Sequence, residues 1–164
     1  MQKMNSEQDI TFEISDQGNF VRLKPIELIN HDSDLDWDKN WIKTKVILSA
    51  GNFAGHYDGE FMTTDFEKLK QELFQLYNNL KGTAHFKDLE GYLNLKIIGD
   101  GLGHFEVKIE ACDSPGINSS RLIFSLTFDQ TLIKDLVHQL QIITSKYPIE
   151  GDFKIQNKSL KFAQ

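Results

Sequence analysis

Four aspartates alternate with other residues in the segment NHDSDLDWDKN, which runs from position 30 to 40. They are Asp32, Asp34, Asp36 and Asp38. Carboxylates at this spacing suggest calcium, but an EF-hand loop needs glycine at its sixth position and glutamate at its twelfth. Counted from the first aspartate the chain has Trp37 and Lys43 there, and counted from the second it has Lys39 at the sixth. The segment therefore predicts a solvated acidic loop, a candidate site for a cationic partner.

A second candidate is the glycine-rich segment Gly99–Gly103, which is followed by His104. A loop that cradles phosphate needs a strand before it and a helix after it, so that the helix N-terminus meets the anion. Here the alternating residues on both sides predict two strands, joined by a tight hairpin that Asp100-Gly101 favours. We keep Asp100 and His104 as a candidate pocket or loop site, but not as a nucleotide site.

The histidines and the single cysteine carry no recognisable catalytic or metal motif. The five histidines are not spaced as paired zinc ligands. His56, His85 and His104 lie on or beside predicted strands, and only a fold that brought them together with Glu60 or Glu90 would make a metal or acid–base site. Nucleophile elbows of the Gly-x-Ser-x-Gly type are also absent from the sequence. We assign no catalytic residue, no metal ligand and no cofactor.

Cys112 is the only cysteine, so an intrachain disulfide is impossible. It ends an alternating apolar run and is predicted to be a small buried hydrophobe.

Composition indicates one globular domain over residues 1–164, with residues 1–9 frayed. The chain is 40% hydrophobic and 26% charged, with a net charge of −6. An acidic chain is badly placed to displace counterions from phosphates, so we expect no nucleic-acid partner. The first ten residues lack the apolar core of a signal peptide, and no run approaches the roughly 18 apolar residues of a membrane span. We expect a cytoplasmic protein without a membrane partner, a monomer or weak dimer.

The elements that must position these residues are strands in tight succession and two helices. The stretch from Trp41 to Phe61 predicts a hairpin that turns at Ala50-Gly51-Asn52. Gly55 and Gly59 share one face of its second strand, which suggests a bent strand with another element packed closely over that face. A leucine-striped helix follows, with a capping box from Thr64 to Glu67 and a stop at Gly82.

Further short alternating strands and tight turns follow this helix and describe a meander. Asp129 caps a second striped helix that ends at Pro148, and residues 149–164 are predicted to add a last edge strand. The predicted fold class is α+β. It is an antiparallel meander sheet, strongly bent or small and sandwich-like, packed by two amphipathic helices at about 64–81 and 129–146.

Several short motifs occur in an order that is typical of one family. They are Trp41 with Val46, Gly51-Asn52-Phe53-Ala54-Gly55, Asp65-Phe66, Gly82-x-Ala84-x-Phe86, Glu90, Leu93-x-Leu95, Gly101-x-Gly103-His104 and Phe128-Asp129-Gln130-Thr131. Over about residues 37–146 this order resembles the WapI-type bacterial immunity proteins of polymorphic toxin systems.

The resemblance implies a non-catalytic cytosolic inhibitor that binds a cognate toxin domain of a competing bacterial cell one to one. In the namesake system that toxin attacks transfer RNA, and an acidic inhibitor suits a basic nuclease because opposite charges raise the encounter rate. The resemblance implies no contact residues.

Two other classes stay open from the residues alone. One is a small-molecule or carbohydrate-binding module, with its pocket near Gly55 and Gly59 or near Gly101–His104. The other is a hydrolase that uses His104 and nearby carboxylates. Both require a concave site with convergent polar groups, whereas an immunity protein requires an exposed acidic face.

Overall fold

The chain forms two successive units that share the same order of elements, four antiparallel strands and then a helix. This computed structural model describes residues 9–152. The first unit contains β1 (Phe12–Asp16), β2 (Asn19–Leu28), β3 (Trp41–Ala50), β4 (Phe53–Met62) and α1 (Thr63–Asn79). The second contains β5 (Lys81–Lys87), β6 (Leu93–Asp100), β7 (His104–Cys112), β8 (Arg121–Asp129) and α2 (Gln130–Lys146). A short 3-10 turn, Asp38–Asn40, precedes β3.

Each sheet is a meander in which neighbours in sequence pair in space, in the orders β1-β2-β3-β4 and β5-β6-β7-β8. The α+β class, the antiparallel strands and the two helices are therefore confirmed, and the strands divide into two sheets. The sequence shows no repeat, although the order of elements occurs twice. Neither helix in residues 9–152 has the length and apolar character that a membrane span requires.

One hydrophobic core joins the two units, because strands bury alternate residues and both helices turn their apolar stripes inward. In β6, for example, Leu93, Leu95 and Ile97 are buried and the residues between them are not. Aromatic rings from both units meet at the centre. The Phe66 and Phe86 ring centroids are 5.2 Å apart, and those of Phe61 and Phe86 are 5.4 Å apart.

The ends of α1 differ from the prediction. The capping box from Thr64 to Glu67 is wrong, because the extended residue before the helix is Met62 and its N–H donates to the Asp65 carboxylate (2.9 Å). Glu67 instead pairs with Lys70 at 2.8 Å. The stop at Gly82 is also wrong. Leu80 ends the helix with φ at +58°, and the glycine lies in β5.

The predicted cap of α2 is confirmed, since the Asp129 carboxylate accepts the Thr131 N–H at 2.8 Å. The β3–β4 hairpin is confirmed as well, and its register runs from Trp41↔Met62 to Ala50↔Phe53 without a shift. The predicted frayed start and the predicted last strand lie outside the described residues, except for residues 9 and 149–152, which form no strand.

Candidate partner-binding surface

The acidic loop between β2 and β3 divides its four aspartates between two roles. Asp36 pairs with Lys39 at 3.1 Å, and Asp38 accepts a hydrogen bond from the Ser33 hydroxyl at 3.2 Å. These two carboxylates hold the loop together. Asp32 and Asp34 are exposed and extend into solvent, the first beside the His31 ring at 3.2 Å. The loop therefore presents negative charge at its start and is self-braced at its end.

The same loop exposes large apolar side chains. Leu35 is 64% exposed and Trp37 is 48% exposed. Tryptophan is among the residues that most often dominate binding energy at protein interfaces, where a polar rim surrounds such anchors. An apolar pair between exposed carboxylates has the composition of a protein-docking surface.

Asn40 lies at the end of this loop, is completely buried, and anchors the loop. Its amide nitrogen donates to the carbonyl oxygens of Asp36 (2.8 Å) and Glu150 (3.0 Å). Its amide oxygen accepts the Glu150 N–H at 2.8 Å. One buried side chain thus ties the acidic loop to the segment after α2. The sequence prediction missed this role, because an asparagine at a loop end looks like an ordinary turn residue.

A cleft of about 450 Å³ adjoins the start of the acidic loop, and we call it the loop-side cleft. Its ionisable groups are Glu27, His31, Lys43, Asp58, Glu60 and Tyr92. Strand register assembles three of them, since Lys43 is opposite Glu27 on one side and Glu60 on the other. The Lys43 amine lies 3.7 Å from the Asp58 carboxylate. Carboxylates outnumber cations here, so the cleft extends the negative surface of the loop.

A second cleft of about 250 Å³ follows the first half of β4, and we call it the edge cleft. Five consecutive residues, 53–57, form one wall, and Asp113 and residues 120–122 form the other. Gly55 and Gly59, two of the predicted pocket residues, therefore line two different clefts. Close packing over the glycine face is confirmed at Gly59, where an added Cβ would lie 3.1 Å from Tyr92, but not at Gly55, where nothing lies within 4 Å.

Asp100 and His104 do come together, in the exposed turn between β6 and β7. The Asp100 carboxylate accepts the Leu102 N–H (2.6 Å) and the His104 N–H (3.2 Å), and it contacts the His104 ring nitrogen at 3.0 Å. These hydrogen bonds, first of all the one from Leu102, lower the pKa of Asp100. The carboxylate is therefore engaged by its own turn.

Two of the three histidines that a joint site would need lie at opposite ends of β7. His56 lines the edge cleft at the Cys112 end of β7, whereas His104 begins β7 at the opposite end, roughly 26 Å away along an extended strand. His85 lies on the edge strand β5. Within residues 9–152, no three His, Cys, Asp or Glu side chains are grouped so that they could hold a metal ion.

Two partly buried ionisable groups lie near the place where β4 meets the second unit. The Tyr57 hydroxyl donates to the Tyr92 carbonyl at 2.6 Å, and burial raises the pKa of Tyr57 well above its usual range. Burial also raises the pKa of Asp65 to about 6. Tyr57 lines the edge cleft, where its hydroxyl is engaged with the Tyr92 carbonyl, and Asp65 lines neither described cleft. The contacts of these two groups fix the fold around β4.

These features define a small α+β protein with an exposed surface that is acidic and partly apolar. The family model described as "Immunity protein WapI-like family" matches residues 10–148. The chain belongs to this family, which confirms the resemblance in its motifs and indicates a toxin-neutralising immunity protein.

Solved structures also resemble the chain at low identity. The structure of MRP1/MRP2 from Trypanosoma bruciei is 8% identical, with TM-score 0.47, covering 85% of this chain and 88% of that one. The plant transcriptional regulator PBF-2 is 14% identical, with TM-score 0.46 and coverage of 84% and 81%. WHY1 from Arabidopsis thaliana is 15% identical, with TM-score 0.47 and coverage of 85% of each chain. At these values the likeness carries no functional argument. No curated protein matches the chain.

Proposed function

We propose that this protein acts in the cytoplasm as a non-catalytic inhibitor, which neutralises a cognate toxin domain by binding it directly, one to one. The proposal rests on the acidic loop, which exposes Leu35 and Trp37 among its carboxylates and is anchored by the buried Asn40. The loop-side cleft extends that surface with further carboxylates.

Charge supports a basic toxin, and a nuclease is the type that fits best. The chain has a net charge of −6, and opposite charges on two partners raise their association rate at low salt. Nuclease domains carry basic surfaces because they bind phosphate backbones. An acidic inhibitor would cover such a surface and exclude the nucleic acid.

Co-expression tests this proposal. The probe is the C-terminal domain of whichever large secreted protein the reading frame next to the gene for this chain encodes. We expect the wild-type chain to restore growth to cells that express this domain, and the two purified proteins to form a complex of one copy each. Continued toxicity in the presence of the folded chain would contradict the proposal.

Two charge variants test whether the acidic loop is the contact. The double variant Asp32→Lys/Asp34→Lys changes two exposed loop residues, and we expect the toxin to associate at least ten-fold more slowly at low salt. The matched control Glu106→Lys/Asp135→Lys makes the same change in net charge at two other exposed positions. If the association rate fell equally in both variants, the loop would lie outside the interface. The acidic charge would then act only by long-range electrostatic attraction.

A further inference from the structure

The outer edge of β4 is long and regular, and no other strand within residues 9–152 occupies it. β4 has ten residues, has β3 as its one neighbour in this part of the chain, and keeps its register from end to end. Among residues 9–152, no backbone hydrogen bond other than those of the β3 ladder engages residues 53–61. Natural proteins shorten, bulge or interrupt exposed edges with proline, because unpaired N–H and C=O groups recruit another strand. β4 is neither short nor bulged nor interrupted by proline, and its exposed charged residues are Asp58 and Glu60.

The hairpin turn determines which groups lie on this edge. A two-residue turn, Gly51-Asn52, closes with the pair Ala50↔Phe53, and such flanking residues exchange both backbone hydrogen bonds. Hydrogen-bonded and non-hydrogen-bonded pairs then alternate along the ladder. The free N–H and C=O groups of β4 therefore belong to Ala54, His56, Asp58 and Glu60, whose side chains are all exposed.

The edge is also open to a second chain. Successive side chains of a strand point to opposite faces, so a cleft lined by all of residues 53–57 must run along the strand edge. The edge cleft is lined in this way, and the loop-side cleft continues along residues 58–60. The stacked rings of Tyr57 and Tyr92, with centroids 6.4 Å apart, lie between the two.

We propose that an extended basic segment of the toxin binds here as a fifth strand of the first sheet. The inference rests on the proposed function and specifies where the toxin contacts this protein. Asp58 and Glu60 are exposed on one face of the edge strand, so a neighbouring strand gains by placing Lys or Arg beside them on that face. On the other face, space is open around Gly55 beside Leu48 and Leu122. The bound segment therefore alternates basic and apolar side chains.

Hydrogen exchange of the complex tests this placement directly. The probe is the toxin domain used for the rescue experiment, bound to the full chain. We expect the amides of Ala54, His56 and Asp58 to exchange at least ten-fold more slowly in the complex than in the free protein. Unchanged exchange at all three in a stable complex would overturn the inference while leaving the proposed function intact. Failure to form any complex would overturn both.

Two variants test the same contact by affinity. His56→Pro removes an outward N–H and leaves the β3 ladder intact, which is the position at which an edge strand tolerates proline. Asp58→Lys/Glu60→Lys opposes the basic side chains and does not depend on proline being accommodated. We expect each to weaken toxin binding at least ten-fold. Glu106→Lys/Asp135→Lys is the charge-matched control and should leave the dissociation constant within three-fold.

Other occupants of the edge give different results. If the free protein is a dimer that His56→Pro converts to a monomer, a second copy occupies the edge and the inference is wrong. If the amides of Ala54, His56 and Asp58 already exchange slowly in a free monomer, part of the same chain covers the edge, and the inference is again wrong.

Discussion

The side chain of Asn40 and the backbone of Glu150 form a reciprocal pair of hydrogen bonds. The Asn40 amide oxygen accepts the Glu150 N–H (2.8 Å), and its amide nitrogen donates to the Glu150 carbonyl (3.0 Å). A third bond from the same nitrogen reaches Asp36 in the acidic loop. The pair therefore couples the proposed toxin-binding loop to the chain that follows α2.

Replacing Asn40 with alanine should affect both stability and binding. The change leaves buried backbone groups without partners, and we expect it to reduce the free energy of unfolding by about 3 kcal/mol. It should also weaken toxin binding, because Asp36 is no longer held. Denaturant titration and calorimetry measure the two effects. Asn30→Ala, at an exposed position of the same loop, should stay within about 0.5 kcal/mol. Equal stability of the two variants would contradict the anchoring role.

A buried ion pair on α1 is hydrogen-bonded to α2. The Lys70 amine lies 2.8 Å from the Glu67 carboxylate and donates to the Thr144 hydroxyl of α2 at 3.0 Å, with little exposure of either charge. Glu67→Gln leaves the ammonium group buried without its counter-charge, and we expect a loss of about 3 kcal/mol. Glu67→Met/Lys70→Met removes both charges and should cost less than the single change. Urea unfolding measures both, and Lys68→Met serves as an exposed control on the same helix. A double variant less stable than the single one would refute this account.

The raised pKa of Asp65 makes the stability of the protein depend on pH. Its pKa rises from 3.8 to about 6, first of all because burial disfavours the charged form. The native state therefore binds a proton more tightly than the unfolded state, and Asp65 contributes stability that is complete below 3.8 and lost as pH rises through 6. We expect a contribution of about 2 kcal/mol to appear between pH 7.5 and 4.5. Asp65→Asn can still accept the Met62 N–H but cannot titrate.

Unfolding measured at several pH values separates this contribution from those of other carboxyls. As pH falls, the unfolding free energy of the wild type should increase relative to that of Asp65→Asn. A difference that stays constant over the range would show that the carboxyl titrates normally.

The two glycines of β4 should respond oppositely to the same substitution. Gly59→Ala places a methyl group 2.9 Å from the Phe61 ring and 3.1 Å from Tyr92, and we expect it to lower stability by about 2 kcal/mol. Gly55→Ala meets no atom within 4 Å and should be neutral or slightly stabilising, since alanine loses less conformational entropy than glycine on folding. Thermal unfolding distinguishes them, and similar shifts in both would argue against the packing described around Tyr92.

Local patterns predicted the elements of the fold better than their ends. Alternation predicts a strand because side chains alternate between faces, and Asp129 predicts a helix start because its carboxylate reaches an N–H two residues on. The start of α1 was missed because the cap depends on the extended backbone at Met62, which the tertiary fold fixes. The sequence left open whether the meander forms one bent sheet or a small sandwich, since its alternation is the same in one sheet or two.

The candidate surface was predicted in part. The sequence indicated an acidic loop. It did not show which of the four aspartates form contacts inside that loop. The carboxylates of the loop-side cleft come from distant strands, and only the register that sets Glu27 and Glu60 on either side of Lys43 brings them together. The free edge of β4 depends on strand order, a property of the sheet that the alternation in each strand does not contain.

The hydrogen bonds of Asn40 also bear on the order in which the protein is completed during its synthesis. The partner of Asn40 lies 110 positions further along the chain. A ribosome makes the N-terminal part first, so the β2–β3 loop and Asn40 leave it long before Glu150, whose backbone Asn40 binds. A growing chain therefore has both β2 and β3 well before the proposed toxin-binding loop is braced. We expect protection to begin only after residue 150 has left the ribosome, and a chain that ends before this position should fail as an inhibitor.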